Sequence, residues 1–477
     1  MDRRRFLHAG IAAAAALVPR AAWAEEAAVS VTPVTTAAAA ASAARPNIIL
    51  AMTDDQGWGD VGYNGHPHLK TPVLDEMART GLRFDRFYAA APVCSPTRAS
   101  CMTGRHPDRC GVFSWGYDMP LEEVTLAEVL RAAGYATGHF GKWHLGGLPG
   151  TAAKAPNMNR AQMPTEPGRE RHPGNQGFDE WFSYWNFFDL DPDLFVHNGK
   201  PVGPLEGEAS EIVADRATAW IKRMAAEKRP FLAVVWFGNP HVPHRATEKD
   251  KAPYADLPEP MQNYLGELAA IDRAMGTLRQ ALRDAGLAEN TLLWFTSDNG
   301  GTGPGNNGNL RGKKGSLWEG GVRVPCVLEW PERIRQPRRT DMPASTSDFF
   351  PTVLDLVGVA PPDARPLDGI SLRDLIDGRL TERPSPIAFQ VCNANGKPTA
   401  AALVDNRWKL HFPKGDAAET TLYDLVDDPG ESKDIAAEKP DVVAAMRDRL
   451  LAWQAGVARS MAGADYPAAT RSSKRPG

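Results

Sequence analysis

The sequence lacks an excess of charge: 54 basic residues against 58 acidic ones leave a formal net charge of -4. Surfaces for nucleic acid or anionic membranes need a basic surplus, so both partner classes are set aside, while a locally basic pocket for a small anion is not. Cysteine is scarce. The five present, Cys94, Cys101, Cys110, Cys326 and Cys392, show no C-x-x-C pairing, which argues against a thiolate zinc site. Beyond the N-terminus no apolar run is long enough to span a bilayer, and there is no internal repeat. The rest is an ordinary globular composition, 43% hydrophobic and 23% charged, with length for one large domain and a smaller one.

The N-terminus reads as an address. Arg3-Arg4-Arg5-Phe6-Leu7 precedes an Ala-rich apolar run ending near Pro19, and Ala22-Trp23-Ala24 offers a small-x-small cleavage site. That order describes an export signal over 1–24. The paired arginines before Phe-Leu resemble a twin-arginine signal, although Asp2 stands where Ser or Thr is usual; the resemblance implies a periplasmic destination. Residues 25–45 read as a linker. With Cys94 consumed chemically, four cysteines would remain in an exported protein and could pair.

Short apolar runs then end abruptly in polar residues. Asn47–Met52 leads into Thr53-Asp54-Asp55, Phe231–Phe237 into Gly238-Asn239-Pro240-His241, and Thr291–Phe295 into Thr296-Ser297-Asp298-Asn299-Gly300. Runs apolar on both faces suit strands inside a mostly parallel sheet. The helical periodicity of 208–227, 260–285 and 436–456 supplies covering layers. Chemistry in such α/β sheets gathers at the carboxyl ends of strands. Residues 146–176, rich in Gly, Pro, Arg and Asn, read as a long loop near the site. Beyond about residue 380 the texture changes to short strands at 388–391, 401–404 and 408–412. The expected architecture is α/β: a large mixed, mostly parallel sheet sandwiched by helices over 46–380, a smaller C-terminal α+β antiparallel-sheet domain over 381–460, and a tail over 461–477.

Asp54-Asp55 and Asp298-Asn299 both follow buried-type strands. Four oxygen-bearing side chains converging there suit a hard divalent cation, calcium or magnesium, although turns also favour Asp. Cys94-Ser95-Pro96-Thr97-Arg98 places a cysteine just before a helix start marked by Pro96. Amides there favour an anion. From the residues alone, Cys94 is a reactive thiolate, a buried cap, or half of a disulfide.

Cys-x-Pro-Thr-Arg followed by Thr103-Gly104-Arg105 resembles the signature of the type I sulfatases, members of the alkaline-phosphatase superfamily. Asp54-Asp55-Gln56-Gly57-Trp58-Gly59-Asp60, Gly141-Lys142-Trp143-His144-Leu145-Gly146, Ser297-Asp298-Asn299-Gly300 and Lys314-Gly315-Ser316-Leu317-Trp318-Glu319-Gly320-Gly321 resemble further blocks of that family, in its order. The resemblance implies an alkaline-phosphatase-like fold and hydrolysis of sulfate monoesters. It implies that a formylglycine-generating enzyme converts Cys94 to formylglycine. One hydroxyl of the aldehyde hydrate would attack sulfur, and the other would let the covalent sulfate leave by elimination. It further implies that Asp54, Asp55, Asp298 and Asn299, with the modified Cys94, hold a metal, normally calcium. Arg98 would fix the hydrate, His144 would hydrogen-bond it, and Lys142, His241 and Lys314 would contact the sulfate. Lys313 stands where the family often has Gly, but the spacing to Glu319-Gly320-Gly321 selects Lys314.

His244 would reach substrate or serve structure, and His139 reads as packing. Trp115, Tyr117, Trp181, Trp185 and Phe187 are candidates for a sugar or aryl subsite, against the plainer reading as core. The expected substrate is a sulfated saccharide or small molecule, with aryl sulfates as surrogates. Two competing functions are a phosphomonoester or phosphonate-monoester hydrolase on the same scaffold, and a non-catalytic, calcium-holding carbohydrate-binding protein.

Overall fold

The computed structural model describes residues 45–149, 170–186, 190–414 and 417–466. The export signal, nearly all of the linker, most of the 146–176 loop, Phe187 and most of the 461–477 tail lie outside them.

The apolar runs form the middle of an eleven-stranded sheet. Strands Thr291–Ser297, Asn47–Thr53, Phe231–Trp236, Ala136–Lys142 and Glu180–Tyr184 lie side by side and parallel. Arg323–Glu329 pairs antiparallel with both Thr291–Ser297 and Leu82–Tyr88, so Leu82–Tyr88 regains the direction of the parallel set. The turns leaving its carboxyl end and those of the central strands therefore gather along one edge.

Alternation along the strands fills two layers. Ile48, Leu50 and Met52 join one apolar cluster while Ile49 and Ala51 join the other, on the opposite face of the sheet. The first layer includes residues of helices Cys94–Thr103, Leu126–Ala132 and Phe349–Val357. The second is covered by Pro72–Thr80, Ala209–Ala226 and Glu259–Asp284. Each large aliphatic or aromatic side chain sealed in this way contributes about 1.5–3 kcal/mol. The helical periodicities of 208–227 and 260–285 thus correspond closely to the observed helices.

A separate four-stranded antiparallel sheet follows, in the order Ile387–Cys392, Pro398–Asp405, Trp408–Phe412, Thr421–Asp424. Its Ala401, Leu403, Leu410 and Phe412 pack against Met446 and Leu450 of helix Pro440–Met461. Its other face, through Phe389, Ala402 and Val404, packs on Tyr88, Leu317 and Val322 of the large sheet and its loops. The described residues form one compact unit. All five cysteines are buried free thiols. No helix among the described residues is long and apolar enough to cross a membrane.

Candidate active site

The chain reverses sharply after the first strand. Asp55 has φ 65°, a left-handed conformation costly for a residue with a Cβ, and His144, two residues beyond strand Ala136–Lys142, has φ 52°. Strain of this kind persists where surrounding structure over-determines it, and both residues lie in the site. Gly141 and Gly300 allow the backbones to close. A Cβ on Gly141 would collide with the Trp236 carbonyl, and one on Gly300 with the Gly320 carbonyl, so each glycine lets a site strand or turn lie against its neighbour.

Cys94 is the first residue of helix Cys94–Thr103, whose end is set by Gly104 at φ 70°. The Thr97 hydroxyl donates to the Ala91 carbonyl at 2.9 Å, fixing the entry into that helix. One helical turn on, Arg98 is fully buried. Its guanidinium donates to Asp298 Oδ2 at 2.7 and 3.2 Å and to Asp54 Oδ2 at 3.2 Å, and lies 5.0 Å from the centre of the Trp236 ring. Lys142 makes an ion pair with Asp54. Lys314 reaches both oxygens of Asp55, at 2.6 and 2.8 Å, and His241 Nε2 is 3.7 Å from Asp55 Oδ2. Asn299 Nδ2 donates to Asp55 Oδ1 at 2.8 Å, and the Asp55 amide donates to Asp298 Oδ1 at 3.2 Å.

Charge sets the protonation of this cluster. Burial pushes Asp54 up, but Lys142, His241, Arg98 and Lys314 outweigh it and hold the carboxyl well below the usual range. Burial and the neighbouring negative charge of Asp54 push Asp298 up. Burial would lower Lys314, yet Asp55 holds its ammonium above the ordinary lysine range. His144 is kept neutral by burial and by Lys142 and Arg98. Burial pushes the Cys94 thiol up to about 11 despite Lys142, so an unmodified thiol is protonated near neutral pH.

The donor set fits a hard cation. Asp54, Cys94 and Asp298 present ligand atoms all within 4.8 Å of one another, as do Asp54, Asp55 and His241. Asp54 Oδ1 and Asn299 Oδ1 are buried without a hydrogen-bond partner, an arrangement that costs free energy unless something charged completes it. Three carboxylates face three permanent cations here, so a divalent ion would leave the centre positive toward an anionic ester.

The structure brings together the ten expected metal and catalytic residues, Asp54, Asp55, Cys94, Arg98, Lys142, His144, His241, Asp298, Asn299 and Lys314. His144 is buried, its amide bonded to the Trp185 carbonyl at 2.8 Å, and neither ring nitrogen has a hydrogen-bond partner. Lys313 is exposed. His244 Nδ1 lies 3.3 Å from Glu267, and His139 packs edge-on against Trp143, Phe178 and Trp236. Trp181 and Trp185 are buried, and Tyr117 packs on Phe113.

Sequence reasoning missed the residues that hold these loops. Asp60, buried and pushed up to about 7 by burial, accepts from the Gly57 amide, the Asn306 amide and the Tyr264 hydroxyl at 2.8, 2.9 and 2.6 Å. Lys409 of the small sheet is fully buried between Glu319 at 2.9 Å and Glu431 at 3.1 Å, and Glu431 accepts the Glu319 amide at 2.6 Å. That joint fixes the far end of the loop carrying Lys314. An unbroken motif around Asp60 and Glu319 was the only available signal, and it named no partner.

Several known proteins are similar to this chain over most of its length. The model of the sulfatase family matches residues 46–359, and that of the C-terminal region of N-sulphoglucosamine sulphohydrolase matches residues 312–456. N-acetylgalactosamine-6-sulfatase of Canis lupus familiaris is 34% identical over 405 residues, 77% of this chain and 72% of that protein. Arylsulfatase A of Homo sapiens is 32% identical over 470 residues, 85% and 87% of the two chains. Among solved structures, Ps i-CgsB in complex with k-i-k-neocarrahexaose superposes with a TM-score of 0.76 at 28% identity, over 86% of this chain and 93% of that one.

Proposed function

Because the chain belongs to the sulfatase family and is a sulfuric ester hydrolase, we propose that it removes sulfate from sulfated carbohydrates with a nucleophile made by converting Cys94 to formylglycine. The observation that carries the proposal is the convergence of Arg98, Lys142, His241 and Lys314 on the carboxylates beside Cys94. Binding alone does not need so many donors aimed at one point; stabilising the charge of sulfuryl transfer does. The carbohydrate preference is supported by the relatives named N-acetylgalactosamine-6-sulfatase and by the structural neighbour in complex with k-i-k-neocarrahexaose.

Asp54, Asp55, Asp298 and Asn299, with residue 94, would hold a calcium or magnesium ion; when bound, the ion polarises sulfate oxygens and acidifies the attacking hydroxyl. The hydrated aldehyde supplies two hydroxyls on one carbon, one to attack and one to let sulfate depart. Arg98, braced between Asp54 and Asp298, holds the hydrate in place. His144, kept neutral, accepts or donates a hydrogen bond at the same group. Lys142, Lys314 and His241 donate to the sulfate and to the leaving oxygen. Maturation by a formylglycine-generating enzyme, export by the Arg3-Arg4 signal to the periplasm, and a division into a catalytic region over 46–380 and a subdomain over 381–460 belong to the same proposal.

The test is sulfate release from a panel of sulfated mono- and oligosaccharides, together with matched aryl sulfate and aryl phosphate esters, using protein matured with the modifying enzyme. Turnover of saccharide sulfates, and of aryl sulfate well above aryl phosphate, is expected. Dominant phosphate turnover would move the assignment to the phosphohydrolase reading.

A further inference from the structure

The segments bordering the site carry apolar side chains that the fold itself does not use. In residues 114–119, the Gly116 amide donates to Ser95 Oγ at 2.9 Å and the Met119 amide to the Leu145 carbonyl at 2.8 Å. This loop is thereby tied to the residue after Cys94 and to the residue after His144. Trp115, next to the first tie, is 43% exposed, although an indole is among the most costly groups to leave in water. Val242, 45% exposed, directly follows His241. These are two of only six large apolar side chains left exposed among the described residues; Trp115 is one residue from the tie to Ser95, the neighbour of Cys94, and Val242 is one residue from His241.

We propose that Trp115, assisted by Val242, is the platform on which the ring of the leaving alcohol stacks, so that the site selects sulfate esters of sugar rings over those of acyclic alcohols. This rests on the carbohydrate reading above and assigns the specificity to particular residues. A pyranose offers a flat apolar C–H face, which an indole face covers well, while its hydroxyls stay in water. The backbone ties at Ser95 and Leu145 fix the platform relative to the nucleophile and His144. Stacking energy from a non-reacting ring can then orient the ester for attack. Of the other aromatic candidates among the described residues, Trp181 and Trp185 are buried and Tyr117 is engaged with Phe113, so Trp115 is the most exposed of them.

The experiment compares kcat/KM for a sulfated saccharide that the wild type cleaves with kcat/KM for an acyclic alkyl sulfate. The ratio of the two should fall about tenfold in Trp115→Ala, recover in Trp115→Phe, and fall about threefold in Val242→Ser. An equal loss on both esters would mean that Trp115 only supports the loop, and an unchanged ratio would mean that the ring binds elsewhere; either overturns the proposal while leaving the carbohydrate reading intact. A wild type that cleaves the alkyl ester but no saccharide overturns both.

Discussion

Replacing Lys314 by alanine separates the two adjacent lysines at the mouth of the site. Lys314 Nζ lies 2.6 and 2.8 Å from the two oxygens of Asp55, and Asp55 holds its charge firmly, whereas Lys313 is exposed. In the working enzyme that ammonium would be a fixed donor to the sulfuryl group. Loss of one preorganised donor at such a centre costs about 10²–10³ in rate, or about 3–4 kcal/mol of transition-state stabilisation. Lys313→Ala removes a solvated charge and should change kcat/KM by less than about threefold. Lys314→Ala leaves the buried Asp55 carboxylate with the Asn299 amide at 2.8 Å but without its ammonium, so stability should fall as well, and thermal unfolding reads that loss separately from the loss of rate. The assay is initial-rate sulfate release, with thermal unfolding as the control. A large loss for Lys313→Ala with near-normal Lys314→Ala would show that the register of this loop has been read wrongly.

Three further outcomes are expected. Lys409→Met leaves the buried carboxylates of Glu319 and Glu431 without their shared cation, and should cost about 3–5 kcal/mol in urea unfolding; an unchanged midpoint would mean that the joint is not ionic. Chelation should lower the melting temperature as well as activity, and calcium restored to about 100 times its Kd should return about 2.7 kcal/mol of stability. Identical melting with and without chelator would remove the metal from residues 54, 55, 298 and 299. Burial pushes Glu208 up to about 8 from an ordinary 4.5. Its folded form therefore holds the proton more tightly, and the stability this contributes is full below 4.5 and lost as pH rises toward 8, at up to about 1.4 kcal/mol per pH unit. Glu208→Gln should flatten that decline relative to wild type between pH 5 and pH 8, and parallel curves would refute it.

Much of the site was legible because its acids stand at the ends of short, wholly apolar runs, where a buried strand must stop and turn. Asp54-Asp55 and Asp298-Asn299 are of this kind, and the Cys94 block carries its own helix start. The strand Leu82–Tyr88 was not legible, since Arg83, Asp85 and Arg86 interrupt its apolar pattern; in the fold, Arg83 and Asp85 meet at 2.9 Å. Strand Arg323–Glu329 was hidden by Pro325 and by pairing antiparallel to its neighbours. Nothing local marks Lys409, because its partner Glu319 lies 90 residues away. Pairings of that range are decided by tertiary packing, and no local pattern announces them.

The most direct test of the central claim is mass spectrometry of the tryptic peptide Phe87–Arg98, from the native source or from a host carrying the modifying enzyme. Loss of the Cys94 sulfur with gain of an aldehyde or its hydrate is predicted. A peptide that keeps an intact Cys94 thiol in catalytically active protein would contradict the account.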